Sequence, residues 1–292
     1  MSRAPHTPVL LNEILEGLSD LDMKEFIDGT LGAGGHAKAL LEAHPEICHL
    51  YGLDKDKEAL ELAAQNLQPF GDKIRLIHSG FENMGDLFVK NSMDGILLDL
   101  GVSSMQLDQA SRGFSFQGEG PLDMRMDKSA SFSAKTLINS YSEADLGRIF
   151  SEYGEERQWR KAAKAVVFAR QKRKIETTAE LVNILMPVLS PGGGRGRIHP
   201  ATRIFQALRI EVNDELNVLK KGIESALTLL RKNGRLLVIS FHSLEDRIVK
   251  YAFRDFVSAK ILTKKPKQAT LEEMRKNARS RSAKLRILEK IL

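Results

Sequence analysis

The sequence predicts an α/β fold built on a parallel sheet and broken once by an inserted helical unit. Three observations carry this. Strand-like and helix-like segments alternate through the first hundred residues, the alternation stops between residues 107 and 213, and it resumes from residue 214 to the end. One interrupted domain (1–106 with 214–292, and 107–213 inserted) explains the pattern better than two consecutive ones. The first segment alone lacks half of its sheet.

The elements follow in order. Glu25 to Asp28 is a short apolar strand and Ala37 to Ala43 a helix. His49 to Asp54 is a second strand, followed by a helix over Lys57 to Leu67 with Ala59, Leu60, Ala63 and Leu67 on one side. Ile74 to Ile77 is a third strand. Met93 to Leu100, nearly all apolar, is a fourth and should be covered on both faces. This order calls for right-handed crossovers and a parallel sheet. In the insertion, Ser142 with Asp145 and Thr177 with Glu180 read as helix starts. Glu156 to Lys174 reads as a long basic helix, Pro191 to Gly196 as a glycine-rich loop, and Pro200 as the first position of a helix over Ala201 to Glu211. Asn213 is expected to cap the next helix, which carries Leu216, Leu219, Ile223, Leu227 and Leu230 on one face and ends at Asn233-Gly234. Arg235 to Phe241 is a fifth strand, Leu244 to Phe256 a helix, and Ile261-Leu262 with Leu285 to Leu288 a terminal strand pair.

Composition narrows the function classes. Hydrophobic residues at 42% and charged residues at 28% fit a globular chain, and no apolar run reaches the ~18 residues of a spanning helix. The N-terminus lacks a signal-peptide core, so a cytoplasmic location is expected. One cysteine, Cys48, excludes an internal disulfide and a cysteine zinc site; its apolar neighbours suggest a packed strand residue, with a catalytic thiol as the alternative. No HExxH pair occurs, and no metal is expected. The net charge of +6 suggests a polyanionic partner. Its distribution says more: eight Lys or Arg and no acid lie between Arg157 and Lys174, and eleven against three Glu between Lys260 and Leu292.

The first strand runs into Asp28-Gly29-Thr30-Leu31-Gly32-Ala33-Gly34-Gly35-His36, a turn whose backbone can approach a ligand closely before a helix begins. Asp54 ends the second strand nineteen residues after Gly35, where a carboxylate can accept bonds from both ribose hydroxyls. NAD and S-adenosylmethionine both fit so far. Asp28 suits the cationic amino-acid end of S-adenosylmethionine and would repel a pyrophosphate, which favours the methyl donor. Asp99 closes the fourth strand at the sheet's ligand-binding end; it reads as a contact to the cofactor or target base, or else as a turn cap.

These residues resemble the MraW (ribosomal RNA small-subunit methyltransferase H) family over nearly the whole chain. The matching blocks are His6-Thr7-Pro8-Val9, Asp28 to His36, Asp99 to Ser104, Gln106-Leu107-Asp108, Arg112 to Phe116, Gly120 to Asp127, His199 to Arg203, Ile239 to Arg247 and Arg281 to Arg286. The resemblance implies a Rossmann-like class I S-adenosylmethionine-dependent methyltransferase with an inserted all-helical domain. It also implies methylation of the exocyclic amine (N4) of a decoding-region cytosine in 16S rRNA. Cofactor contacts then carry over to Gly34, Gly35, His36, Asp54, Phe81, Asp99 and Gln106, beside Asp28 and Gly32 from the motif itself. Met105 departs from the proline common in relatives, a change expected to alter the loop slightly.

Cytosine's amine is a poor nucleophile, so alignment and a proton acceptor are the main tasks. A ring-carbon attack would need a cysteine, and Cys48 is badly placed for it. Asp99, Ser103 and Ser104 are the expected polar contacts, with His242 lining the site or capping a helix. Phe114 or Phe116 stacks on the extruded base, or each belongs to the insertion's core. Arg112, Arg125, Arg203 and Arg247 are candidate RNA contacts, with pairing to Asp123, Asp127 or Asp246 as the competing role. Two other classes stand against the methyltransferase: an NAD-dependent oxidoreductase and a non-catalytic rRNA-binding assembly protein. Naked rRNA against the assembled small subunit, and monomer against homodimer, stay open.

Overall fold

The structure, a computed structural model, describes residues 8–116, 118–190 and 199–292, without the side chains of Ser104 and Met105. The expected loop from Pro191 to Gly196, and His6 and Thr7 of the first matching block, lie outside these residues. The chain forms two compact units, Met1–Gly101 with Leu216–Leu292, and Val102–Glu215. The seams fall a few residues from 106/107 and 213/214, and both sit at backbone breaks. Gly101 leaves the sheet with φ at 93°, and Asp214 takes a left-handed φ of 48°.

The first unit is built on seven strands: β1 (Glu25–Asp28), β2 (His49–Asp54), β3 (Ile74–His78), β4 (Met93–Asp99), β5 (Leu230–Ser240), β6 (Ala259–Ile261) and β7 (Lys284–Lys290). Their order is β3-β2-β1-β4-β5-β7-β6. The first five run parallel, and β7 is antiparallel to both β5 and β6. This is the Rossmann-like arrangement expected from the sequence. The order reverses between β1 and β4, so their carboxyl ends flank the crevice where such sheets bind ligands.

Successive residues of each strand feed opposite faces. Phe26, Leu50, Leu97 and Leu237 enter one core; Ile27, Leu53, Ile96, Leu98 and Val238 enter the other. Hence β4 is buried along its length until Asp99. Among the described residues four α-helices precede the insertion: α1 (Leu11–Leu18), α2 (Gly35–Ala43), α3 (Lys57–Leu67) and α4 (Met84–Leu87). The inserted unit holds α5 (Ser104–Asp108), α6 (Ala134–Ser140), α7 (Glu143–Glu152), α8 (Trp159–Lys172), α9 (Thr178–Leu189) and α10 (Thr202–Asn213) around its own core. Ser142 caps α7, and Thr177 with Glu180 forms a reciprocal capping box on α9. After it come α11 (Glu215–Leu229), α12 (Ser243–Asp255) and α13 (Leu271–Lys276). Among the described residues no helix is long and apolar enough to cross a membrane.

Four sequence expectations need correction. Asn213 does not cap α11. It ends α10, where its side chain accepts the Met126 N–H at 2.8 Å and donates to the Met124 and Arg209 carbonyls. Asn233-Gly234 does not separate helix from strand. α11 stops at Leu229, and the two residues form an irregularity inside β5, with Asn233 at φ 65° and the register jumping from Met93↔Leu230 to Gly95↔Arg235. Pro200 stands ahead of α10 rather than at its first position. Cys48 is exposed just before β2, not packed within it.

Candidate active site

The loop between β1 and α2 is held open by its own backbone. The Gly29 N–H donates to Leu97 O and the Leu31 N–H to Leu53 O, so the loop is sewn to both neighbouring strands. Gly34 turns the chain into α2 with φ at 82°, and a Cβ there would also meet Leu67 at 2.9 Å. A Cβ on Gly32 would meet nothing within 4 Å, so that stretch of backbone faces open space.

Three carboxylates ring this loop. Asp54, half-buried at the end of β2, accepts the Gly32 N–H and the Asp56 N–H, both at 2.8 Å. Each oxygen keeps a second lone-pair direction for a ligand hydroxyl. Burial raises its pKa, against the lowering effect of those two bonds. Asp28 is 1% exposed; its Oδ1 accepts the Thr30 N–H at 3.1 Å, while its buried Oδ2 has no hydrogen-bond partner among the described residues. Burial first, and the charge on Asp54 after it, push its pKa up to about 7. Asp99 is fixed by its N–H, which donates to Thr30 Oγ at 2.6 Å, and its Oδ1 is also buried without a hydrogen-bond partner among the described residues. Burial and the charges on Asp28 and Glu245 hold its pKa well above the usual carboxylate range.

His36, buried at the start of α2, links two of these parts. Its Nε2 donates to Val9 O at 3.0 Å, so the proton sits there, and Nδ1 faces Asp99 Oδ2 at 3.6 Å. Burying two carboxylate oxygens unsatisfied is costly, and natural chains tolerate it mainly at functional sites. A cationic, hydrogen-bond-donating ligand would satisfy both. The orphaned oxygens, the open Gly32 backbone and the free lone pairs of Asp54 together fit S-adenosylmethionine: ammonium toward Asp28, ribose toward Asp54. A pyrophosphate would meet three acids.

A family model described as the MraW methylase family matches residues 3–291. The chain belongs to that family. The ribosomal RNA small subunit methyltransferase H of Chlamydia felis is 52% identical over 295 residues, covering 99% of each chain. The protein of the same name from Geotalea uraniireducens is 45% identical over 313 residues, covering 100% of each. Among solved structures, an rRNA methylase from Streptococcus thermophilus aligns with a TM-score of 0.47 and 14% identity, over 100% of this chain and 99% of that one.

The remaining site candidates of this MraW methylase separate by their partners. Phe81 opens the turn after β3 and packs against Gly29 and Gly222, where added Cβ atoms would lie 3.0 and 2.2 Å from it. His242 is the N-cap of α12: its Nδ1 accepts the Glu245 N–H at 3.4 Å, and Glu245 Oε2 returns a bond to the His242 N–H at 3.3 Å. In the inserted unit, Ser103 and Gln106 make the same reciprocal cap on α5. Ser104 is the first residue of that helix, and its side chain lies outside the described set.

Two RNA candidates lie inside the inserted unit instead. Arg112 is 4% exposed and donates from one terminal nitrogen to Arg125 O and Met126 O, at 3.1 and 2.9 Å. Phe114 is 7% exposed and part of the core. Arg125 pairs with both oxygens of Asp123, the competing role weighed from sequence. Phe116 is half-buried, stacked on His199 at 4.4 Å. Arg203 is half-exposed and donates to Glu155 O at 3.2 Å; Arg247 is exposed on α12. Arg112→Met is therefore expected to cost about 2 kcal/mol in urea unfolding, because two carbonyls lose a charged donor. Unchanged stability with weakened RNA binding would instead make Arg112 a surface contact.

Sequence reading missed Thr30 and Glu245. Thr30 sits inside the glycine motif, and its hydroxyl accepts the Asp99 N–H. Glu245 follows His242 by three, the spacing of a capping box, and at 2% exposure it is a buried acid whose charge helps raise the pKa of Asp99.

Proposed function

We propose that this chain is a cytoplasmic S-adenosylmethionine-dependent rRNA methyltransferase that methylates the N4 amine of a decoding-region cytosine in 16S rRNA. The observation that carries the reading is the pair of buried, unpartnered oxygens, Asp28 Oδ2 and Asp99 Oδ1, at the carboxyl ends of β1 and β4. The cofactor supplies an electrophilic sulfonium methyl group. Asp28 holds the cofactor's ammonium, and the Asp54 carboxylate its ribose hydroxyls. The Gly32 and Gly34 backbone lines the cofactor, with Gly35 and His36 opening the helix behind it. Asp99, with its raised basicity, accepts a hydrogen bond from the cytosine amine and takes the proton that N4 loses. Phe116, Arg203 and Arg247 serve the RNA. The assembled small subunit is the preferred form of the substrate, since the chain offers wide basic segments suited to a folded, polyanionic particle.

The test is mass mapping of rRNA from assembled small subunits incubated with the purified chain and labelled donor. One N4-methylated cytosine in the decoding region is expected. Label on a ring carbon or on another base would sink the assignment, and NAD binding without donor binding would sink the class.

Cofactor binding should also depend on pH. Asp28 titrates near about 7, so its carboxylate is present above that value and lost below it. Affinity for S-adenosylmethionine is expected to weaken toward tenfold per pH unit below about 7. The sign for stability is opposite. The folded value lies above the unfolded one, so Asp28's contribution is fully present below about pH 4 and lost as pH rises through about 7. Calorimetry across this window checks the first; an Asp28→Asn variant with the same pH slope would refute it.

A further inference from the structure

The next step rests on the reading above, that the substrate is RNA, and asks which face of the inserted unit meets it. α8 carries Arg160, Lys161, Lys164, Arg170 and Lys172 and no acid, with Arg157 ahead of it and Arg173 and Lys174 behind. Its two sides differ in kind. Ala162, Ala163 and Val166 are buried in the core. Lys161, Lys164, Phe168 and Lys172 are all exposed, at spacings of three and four that align them along one stripe. Among the described residues none of these three lysines has an acidic partner.

Phe168 does not fit a solvated helix face. It is 61% exposed, with the Lys172 ammonium 5.0 Å from its ring centroid. At the start of α8 the Arg160 guanidinium lies 4.2 Å over the Trp159 ring. That indole packs on Gly147 of α7, where a Cβ would come within 2.8 Å of it. A protein partner would call for a contiguous apolar patch; here single aromatic rings stand among unpaired cations. Flat rings between phosphate-seeking charges match single-stranded nucleic acid.

We propose that the exposed stripe of α8 is an RNA-binding surface: Lys161, Lys164 and Lys172 on phosphates, Phe168 stacked on an unpaired base, and the Arg160–Trp159 stack a second platform. The stripe supplies affinity and plays no part in the chemistry.

The test compares the full chain with a K161A/K164A/K172A triple variant and with F168A. Each is titrated with a decoding-region rRNA fragment over a range of salt, and with S-adenosylmethionine. The triple variant is expected to lower the slope of log K against log salt by about 2 to 3. F168A is expected to weaken binding about tenfold with the slope unchanged, and F168W to restore it. Cofactor affinity should stay at the wild-type value in all three. Wild-type RNA binding by both variants, while the unaltered chain methylates small-subunit rRNA, overturns the proposal and returns the stripe to an acidic protein partner. Failure of the unaltered chain to methylate any rRNA overturns the functional reading beneath it instead.

Discussion

Asp99→Ala is expected to slow methyl transfer by about a thousandfold at saturating cofactor, while cofactor binding changes far less. The size follows from what Asp99 is built for. Its backbone is pinned to Thr30, its Oδ2 faces His36, and its Oδ1 is buried with nothing to bond. Burial, Asp28 and Glu245 raise its pKa, which makes it a better proton acceptor once ionised. The rate should therefore climb with pH through this raised value and then level off. Glu245→Gln keeps an oxygen for the Phe241 and His242 N–H groups, at 2.8 and 3.3 Å, yet removes one negative charge facing Asp99. Its rate profile should shift to lower pH with the plateau largely retained. A profile that does not move would show that Glu245 acts only as a cap. Near-normal turnover of Asp99→Ala would remove Asp99 from the chemistry altogether.

The strands and their parallel direction were legible because apolar runs bounded by Asp28, Asp54 and Asp99 leave little freedom. The fourth run is a strand buried on both faces until its last residue, and each acid marks a carboxyl end beside the glycine loop. The glycine motif was legible for a similar reason, since one short loop must turn and cap a helix at once. What the sequence concealed came from tertiary context. Leu230 to Asn233 carries helical periodicity, but pairing with Met93 draws it into β5. Arg112 looks like a surface cation until its carbonyl partners, fourteen residues away and fewer, fold around it. Ser103, Gln106, His242 and Glu245 are polar residues at cap spacing, and spacing alone does not distinguish a cap from a ligand contact. Asp99 could be singled out only because its strand end had to lie beside the glycine loop.

Asp54→Ala should weaken S-adenosylmethionine binding by about a hundredfold, the loss of two hydrogen bonds to a charged acceptor. The substitution does two things at once, and they must be separated. Asp54 Oδ2 holds the Gly32 N–H and Oδ1 the Asp56 N–H, so alanine also loosens the loop and the first turn of α3. A cofactor analogue lacking one ribose hydroxyl resolves the matter. If the carboxylate grips the ribose, the unaltered chain loses affinity for the analogue, whereas Asp54→Ala binds analogue and cofactor alike. If Asp54 only shapes the loop, both chains lose the same factor on the analogue, because the missing hydroxyl then contacts something else. The coupling in this cycle, rather than the size of either single loss, decides whether the acid ending β2 touches the cofactor.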